Sequence, residues 1–189
     1  MNEHDFNFQE FKGLVRKIKE GNNASKVKSI QQLLNLTGLK CHIFNNDYQT
    51  GVYSVQQKLE YKHEERTAIS LTGWGYNVVF LPNGYFHRHD KKFDVFLCYG
   101  HIFFECDLKC ITSTNPDTIG KRIKNGSEQA SRLVLDIQSG ISSKELIEGL
   151  KSGCTRNELL KEIMLIYKSK FYRLFKQQIL SDRIFDILK

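Results

Sequence analysis

Two strand-like runs separated by only two residues constrain the fold of this chain most strongly. Residues 93–99 (FDVFLCY) and 102–109 (IFFECDLK) are rich in β-branched and aromatic side chains, and the two residues between them begin with Gly100. A two-residue loop that begins with glycine is typical of a type II′ turn, which joins antiparallel strands in one register. The sequence therefore predicts a β-hairpin in which Asp94 lies opposite Asp107.

Alternation along the second run places three charged side chains on one face of the predicted hairpin. Residues two apart in a strand share a face, so Glu105, Asp107 and Lys109 lie together and apolar side chains take the other face. Across the hairpin Asp94 joins them, with its carboxylate about 4–7 Å from that of Asp107. A solvated hairpin face without a chemical role is the alternative.

Opposed carboxylates indicate a cation between them. They repel each other by up to about 1 kcal/mol unless a positive charge intervenes, and Asp94 and Asp107 are candidates to hold Mg²⁺ or Mn²⁺. Lys109 would then orient water or stabilise developing charge, as metal-assisted phosphodiester cleavage requires. Glu65, on the helix predicted before the hairpin, is a third candidate ligand, with an exposed surface position as its alternative.

The rest of the chain predicts an α+β fold. Apolar spacing and turn residues predict strands over 39–44, 76–82 and 132–137, and helices over 5–20, 25–38, 54–71, 118–130, 142–151 and 156–180. We expect a small mixed or antiparallel sheet with the hairpin at its centre, flanked by N- and C-terminal helices. A length of 189 residues fits a single domain. Its expected parts are a helical addition over 1–53, a core over 54–138 and C-terminal helices over 139–189.

The chain is basic, with 28 Lys and Arg residues against 21 Asp and Glu residues and a net charge of +7. An excess of this size fits a polyanionic partner, and RNA or DNA is the usual one. A soluble basic protein without such a partner is the alternative. Candidate phosphate contacts lie in the segment before the hairpin and on the helix after it; they are Lys91, Lys92, Lys121, Arg122 and Lys124.

Two histidines precede the hairpin in the same polar, basic segment. His87 and His89 lie within seven residues of Asp94. Histidine titrates near neutral pH, so either side chain suits activation of a 2′-hydroxyl group or protonation of a leaving group. A solvated loop is the alternative for this segment.

The five cysteines form no CxxC pair and no array with zinc-ligand spacing. An odd number of cysteines on apolar stretches predicts the reduced thiols of an intracellular protein. No run approaches the ~18 apolar residues of a membrane span. The acidic N-terminal run MNEHDFNFQEF also lacks the basic lead and apolar core of a signal peptide. We therefore expect a cytoplasmic protein with no membrane partner.

The middle of the chain resembles a family of toxins. Over residues 63–138 the runs ERTAISLTGWGYNVVFLP, KKFDVFLCYGHIFFECDLK and TIGKRIKNGSEQASRLVLDI follow a pattern of short motifs. These are a helix, GY-V-LP, a spaced Lys-Asp, a strand ending in E-x-K, a helix with A-x-QA and a closing strand. The pattern is similar to the C-terminal tRNA nuclease toxin domains of contact-dependent growth inhibition (CdiA-type) systems, in the barnase/EndoU/colicin/RelE-like group. The resemblance implies an endoribonuclease, a cognate immunity or antitoxin protein, and catalytic roles for Asp94, Asp107 and Lys109.

The strand motif of this chain departs from that pattern and leaves alternatives open. Here it is D-x-K, formed by Asp107 and Lys109, with Glu105 two residues earlier. PD-(D/E)xK nucleases also carry an Asp followed by D/E-x-K, so a metal-dependent DNA endonuclease is the second interpretation. A metal-free ribonuclease would instead rely on side chains such as His87 and His89. A non-catalytic nucleic-acid-binding module of a phage or mobile element is the third interpretation, and it predicts that Lys109 points into solvent.

Overall fold

The structure is a computed structural model, and it describes residues 6–56, 62–82, 84–86, 92–155 and 157–189. These residues form seven helices and eight strands, which confirms the predicted α+β class. The chain divides into two compact units. The first unit comprises Met1–His87 and Val95–Phe104, and the second comprises Arg88–Asp94 and Glu105–Lys189. The predicted division of the chain at residues 53 and 138 stays a prediction.

The first unit is a four-stranded mixed sheet with three helices among its described residues. Its elements are α1 (Phe8–Glu20), α2 (Asn23–Leu34), β1 (Lys40–Asn45), β2 (Thr50–Ser54), α3 (Lys62–Thr72), β3 (Asn77–Phe80) and β4 (Val95–Tyr99). The strands lie in the order β1-β2-β3-β4, with β2 and β3 parallel and the other two pairs antiparallel. The predicted helices before residue 38 are confirmed as α1 and α2, which Asn7 and Asn22 cap.

The strand β2 corrects the sequence prediction, which had no strand between residues 45 and 53 and a helix from residue 54. All five residues of β2 are buried. Val52 and Tyr53 favour a strand, and the N–H of Gly51 donates to the side chain of Asn77 on the neighbouring β3. Among the described residues the helix runs from Lys62 to Thr72, and Ser54, which the prediction placed in that helix, belongs to β2, where the tertiary pairing with β1 and β3 overrides the local helical pattern.

The central hairpin is confirmed at its turn. Strands β4 and β5 (Ile102–Ile111) are neighbours, and the rings of Phe96 and Phe103 stack 4.5 Å apart. Gly100 has a φ of 57°. His101 is not among the residues with positive φ, so the turn has the backbone pattern of the predicted type II′ class.

The second unit contains a four-stranded sheet and four helices among its described residues. After β5 these are α4 (Pro116–Ser127), β6 (Arg132–Ile137), α5 (Ser143–Thr155), β7 (Glu162–Tyr167), β8 (Lys170–Phe175), α6 (Lys176–Leu180) and α7 (Ile184–Ile187). Strands β5, β6 and β7 are parallel, and β8 is antiparallel to β7. Apolar side chains of the sheet and the helices form one buried cluster, in which Leu133, Leu135 and Ile163 are fully buried. No helix in the described part of the chain is long and apolar enough to span a membrane.

The predicted helix over 156–180 is wrong, because most of this segment is the hairpin β7–β8. Its two-residue turn consists of Lys168 and Ser169, with φ of 49° and 58°, as a type I′ turn requires. The apolar residues here fit a helical stripe as well as a strand. However, every residue of β7 is buried, and a helix cannot bury all its sides against one sheet. A continuous apolar run is typical of a buried parallel strand.

The crossover from β5 to β6 places a helix over the charged residues of β5. Pro116 occupies the first turn of α4, and the side chain of Asn115 caps it by accepting the N–H of Asp117. The helix buries Ile119 and Ile123. It ends at Ser127, so the chain can return through Gln129 to the start of β6 beside Asp107, with Leu133 as the partner of Asp107 in the parallel ladder.

Candidate active site

Asp94 lies directly before β4 and is fixed against β5. Its backbone N–H donates to the carbonyl of Cys106 at 3.1 Å, and its Oδ2 accepts the N–H of Leu108 at 2.7 Å. Asp94 is therefore bonded to the residues on both sides of Asp107. The two carboxyl groups are close enough to share a hydrogen bond, so the structure brings together the two acidic residues singled out in the sequence.

Asp107 is the centre of the cluster, and its side chain is 0% exposed. The ammonium of Lys109 lies 2.5 Å from Asp107 Oδ2 and forms an ion pair with it. On the other oxygen, the side-chain amide nitrogen of Gln129 donates to Asp107 Oδ1 at 2.5 Å and also to the carbonyl of Lys92 at 3.0 Å. One amide group thus joins the segment before β4, the strand β5 and the loop after α4.

A glycine lets the end of α4 cover this carboxyl group. A Cβ atom at Gly126 would lie 2.7 Å from Asp107 Oδ2 and 2.9 Å from Leu133 Cδ2. Both distances are shorter than side chains tolerate, so no residue with a side chain fits there without displacement. The sequence predicted a polar face with a chemical role, and a solvated face was the alternative; in the structure α4 buries Asp107 on that face.

The pKa of Asp107 is raised to about 8, mainly by burial and then by the neighbouring Asp94, while the Lys109 ammonium opposes both effects. A carboxyl group removed from water favours its neutral form, and a second carboxyl group beside it acts in the same direction. Near neutral pH Asp107 is therefore balanced between a protonated form, which burial and Asp94 favour, and a carboxylate paired with Lys109. A perturbed carboxyl group with specific charged partners is typical of functional sites.

The other described site residues predicted in the second unit lie on β5, before β4 and on α4. Glu105 is half-buried on β5, two residues before Asp107. The side chain of Lys92 is exposed, although its carbonyl belongs to the cluster. The three basic residues predicted to contact phosphate on α4 are all exposed; they are Lys121, Arg122 and Lys124.

Three predicted residues, His87, His89 and Lys91, lie outside the described residues. Glu65 is described, half-buried on α3 of the first unit. Within the described ranges, no three His, Cys, Asp or Glu side chains form a group that could hold a metal ion. The acidic cluster of the second unit therefore offers two carboxyl groups, Asp94 and Asp107.

Sequence reasoning missed Gln129 and Gly126 as parts of the site. No local pattern marks either residue, because their contacts with Asp107 come from the crossover through α4. One signal was available for Gln129: Gln129 and Ala130 occupy the QA positions of the A-x-QA motif in the toxin pattern.

A family model agrees with this placement. The model described as the contact-dependent growth inhibition CdiA C-terminal domain matches residues 96–171, which is less than half of the chain. The matched segment contains Asp107, Lys109 and Gln129, and it begins two residues after Asp94. The match confirms the resemblance to CdiA-type toxins, and it supports a toxin of the nuclease type. No curated protein and no solved structure matches the chain.

Proposed function

We propose that this chain is a nuclease toxin that hydrolyses phosphodiester bonds at Asp94, Asp107 and Lys109, with a divalent cation. The observation that carries the proposal is the fully buried carboxyl group of Asp107, held between the Lys109 ammonium and the Asp94 carboxyl group. A solvated hairpin face would not need this arrangement. A non-catalytic module is disfavoured, because the side chain of Lys109 is only 16% exposed and is paired with Asp107.

The two carboxyl groups fit a divalent cation. Mg²⁺ commonly binds through one or two carboxylates and completes its octahedral shell with waters and substrate phosphates, so a third acidic ligand is not required. Asp94 and Asp107 repel each other as anions, and their contact is relieved by a proton in the absence of metal. A bound cation would relieve the same repulsion, and it would supply Lewis-acid activation of water and of the phosphate.

The residues of the chain have separate tasks in this mechanism. The N–H of Leu108 holds the Asp94 carboxyl group in place, and Gln129 does the same for Asp107. A cation held by Asp107 would weaken the attraction of this carboxylate for the Lys109 ammonium. Lys109 would then be available to hold the attacking water or to stabilise the negative charge that develops on the phosphate.

We propose tRNA-like RNA as the substrate, and double-stranded DNA is the second candidate. The match to the CdiA C-terminal domain and the implied resemblance to tRNA nucleases support RNA. The contact between Asp94 and the D-x-K strand favours the PD-(D/E)xK alternative, whose members cleave DNA. Exposed Lys121, Arg122 and Lys124 would contact phosphates in either case.

The test is incubation of the purified chain with total tRNA and with plasmid DNA, each with Mg²⁺, with Mn²⁺ and with EDTA. We expect cleavage of tRNA with either metal and none with EDTA. Cleavage of plasmid alone would shift the assignment to the DNA endonuclease, and activity that persists in EDTA would rule out the cation. If neither substrate is cleaved under any condition, the nuclease proposal is wrong. Asp107→Asn serves as the control for contaminating nucleases.

We also propose a cognate immunity protein as a partner, since CdiA toxin domains generally pair with one. The protein encoded beside this chain should bind it and suppress cleavage when it is added in equimolar amount. A neighbouring product that forms a complex without reducing cleavage would contradict this role.

A further inference from the structure

The first unit contains a cleft between its two N-terminal helices that the proposed active site does not use. Its volume is about 440 Å³, within the range of small-molecule sites. One wall is the stripe of α1 with the spacing i, i+3, i+4, i+7, which consists of Glu10, Gly13, Leu14 and Lys17. The other wall comes from α2 and the residues after it, namely Gln32, Asn35, Leu36 and Thr37.

Gly13 is the feature of this cleft that packing does not explain. It lies in the middle of α1, where glycine destabilises a helix relative to alanine. At Gly126 the absence of a side chain is required, because atoms of Asp107 and Leu133 occupy the space that a Cβ atom would take. At Gly13, by contrast, a Cβ atom would meet nothing within 4 Å. The space beside Gly13 is therefore open, and a ligand from outside the chain can approach the helix backbone there.

The two helices are also the most basic part of the first unit. Residues 8–34 contain six Lys and Arg residues and two Glu residues, and so carry +4 of the net charge of +7. Arg16, Lys17 and Lys28 are exposed. Lys12 is engaged over the rings of Phe8 and Tyr85. The surface around the cleft therefore attracts an anionic ligand.

The lining of the cleft has the chemistry of a nucleotide site. Leu14 and Leu36, each 6% exposed, form an apolar floor for a flat ring. Lys17 lies at one end of the α1 stripe and Glu10 at the other, seven residues and about 10 Å away along the helix. An ammonium suits a phosphate, and a carboxylate accepts hydrogen bonds from the amino group of cytosine.

We propose that the cleft between α1 and α2 binds one nucleotide of a single-stranded segment of nucleic acid, with its phosphate at Lys17 and its base at Leu14, Leu36 and Glu10. This inference rests on the proposed nuclease function, for which it supplies a substrate-binding subsite separate from the residues that cleave. Gln32 and Thr37, which also line the cleft, carry hydrogen-bond donors that could contact the strand.

Binding is measured separately from cleavage, by fluorescence anisotropy of labelled 12-residue cytidine and uridine oligoribonucleotides in EDTA. Lys17→Gln should weaken binding of the cytidine oligomer about three- to tenfold. It should also reduce the slope of log affinity against log salt by roughly 0.7, the value for one phosphate of a single strand. Arg16→Gln is the matched control, because it removes the neighbouring exposed charge of the same helix without touching the cleft.

A second variant fills the cleft instead of changing its charge. Gly13→Leu should weaken binding about tenfold and raise the melting temperature of the protein, because leucine favours a helix and its side chain has room there. The chain should bind the cytidine oligomer more tightly than the uridine oligomer, and this preference should disappear in Glu10→Ala, which has no side-chain oxygen to accept a hydrogen bond from the cytosine amino group. Cytidine monophosphate at millimolar concentration tests whether a free nucleotide suffices: competition supports a nucleotide site, and competition by the oligomer alone supports a strand-binding site.

The proposal is overturned if Lys17→Gln and Arg16→Gln weaken binding equally, since the charge would then act only as a diffuse basic surface. It is also overturned if Gly13→Leu is more stable but binds with unchanged affinity, or if the chain binds no oligonucleotide. Failure here leaves the active site untouched, because cleavage of tRNA with Mg²⁺ depends on Asp107. Conversely, if the chain binds the oligomer as expected but cleaves no substrate, the proposed nuclease function is rejected and the proposed nucleotide-binding cleft is supported.

Discussion

At the scale of the residue, Asp107 is the centre of the proposed chemistry, because the groups around it have opposite effects on its charge. Burial and Asp94 favour its neutral form, whereas Lys109 favours its charged form. A carboxyl group in this position can bind either a proton or a cation. Its replacement should therefore change both the activity of the protein and the pH dependence of its stability.

Asp107→Asn and Lys109→Ala should each lower cleavage at least about a hundredfold, the scale of losing one group that stabilises developing charge. The asparagine keeps the shape of the side chain and can still meet Gln129, so the protein should remain folded. Initial rates of tRNA cleavage and the far-ultraviolet circular dichroism spectrum measure the two effects. Lys144→Ala, at an exposed position on α5 to which no contact with the substrate is assigned, is the control. Wild-type rates in either site variant would remove the hairpin from the mechanism.

Stability should fall as pH rises from about 4 to about 8 in EDTA. The folded-state pKa of Asp107 is about 8, and burial is its main cause. The folded protein therefore retains a proton that the unfolded chain releases near pH 4. The stabilisation is complete below pH 4 and decreases by at most about 1.4 kcal/mol per pH unit up to pH 8. Urea unfolding at pH 5, 6, 7 and 8 measures this slope. Asp107→Asn should have a flatter profile; an identical slope in that variant would contradict the assignment.

At the scale of the element, the end of α4 and the turn between β7 and β8 show how backbone conformation determines the fold. The helix can approach Asp107 only where it lacks a side chain, at Gly126. The turn places two residues with side chains in the left-handed region, where glycine and asparagine are favoured.

Gly126→Ala should destabilise the protein by about 1–3 kcal/mol and reduce cleavage, because the new methyl group meets Asp107 Oδ2 at 2.7 Å. The matched control is Gly140→Ala, whose Cβ atom meets nothing within 4 Å. Thermal unfolding and initial cleavage rates should separate the two variants. Equal behaviour of both would mean that α4 does not press on Asp107.

Replacement of Lys168 and Ser169 by Asn and Gly should stabilise the protein by roughly 1 kcal/mol. Both residues have positive φ, and Asn-Gly is the preferred sequence of a type I′ turn. The midpoint of urea unfolding should rise while tRNA cleavage stays unchanged. A lower midpoint would indicate that the lysine or serine side chain makes a stabilising contact.

At the scale of the whole molecule, the sequence predicted those structural features that depend on residues close together along the chain. The hairpin and the placement of Asp94 beside Asp107 followed from a short loop and alternation. The buried strand β7 could not be distinguished from a helix by its apolar residues, because Ile163 and Ile166 fit both periods. The roles of Gly126 and Gln129 were beyond sequence reasoning, since they arise only when α4 has packed on the sheet.

The charges along the chain predict how it binds nucleic acid. Neutralising Lys121, Arg122 and Lys124 together should weaken tRNA binding similarly across sequences, because cations that bind phosphate read little of the base order. The salt dependence should flatten by roughly 0.7–0.9 in log–log slope for each phosphate that the variant no longer neutralises. Filter-binding titrations from about 50 to about 300 mM salt measure both effects. Unchanged affinity and slope would identify these residues as ordinary solvated surface.

The amide of Gln129 has a consequence for the order of folding. It joins Lys92, Asp107 and its own loop, so the contacts of the active site span nearly forty positions of the chain. Contacts of that separation form late, after the strands and the crossover helix have assembled. A partly folded or incompletely synthesised chain that ends before Gln129 therefore has the acidic and basic side chains of the site but no site. If the chain is the nuclease proposed above, hydrolytic capacity should appear only with the finished second unit, and its folding intermediates should be harmless.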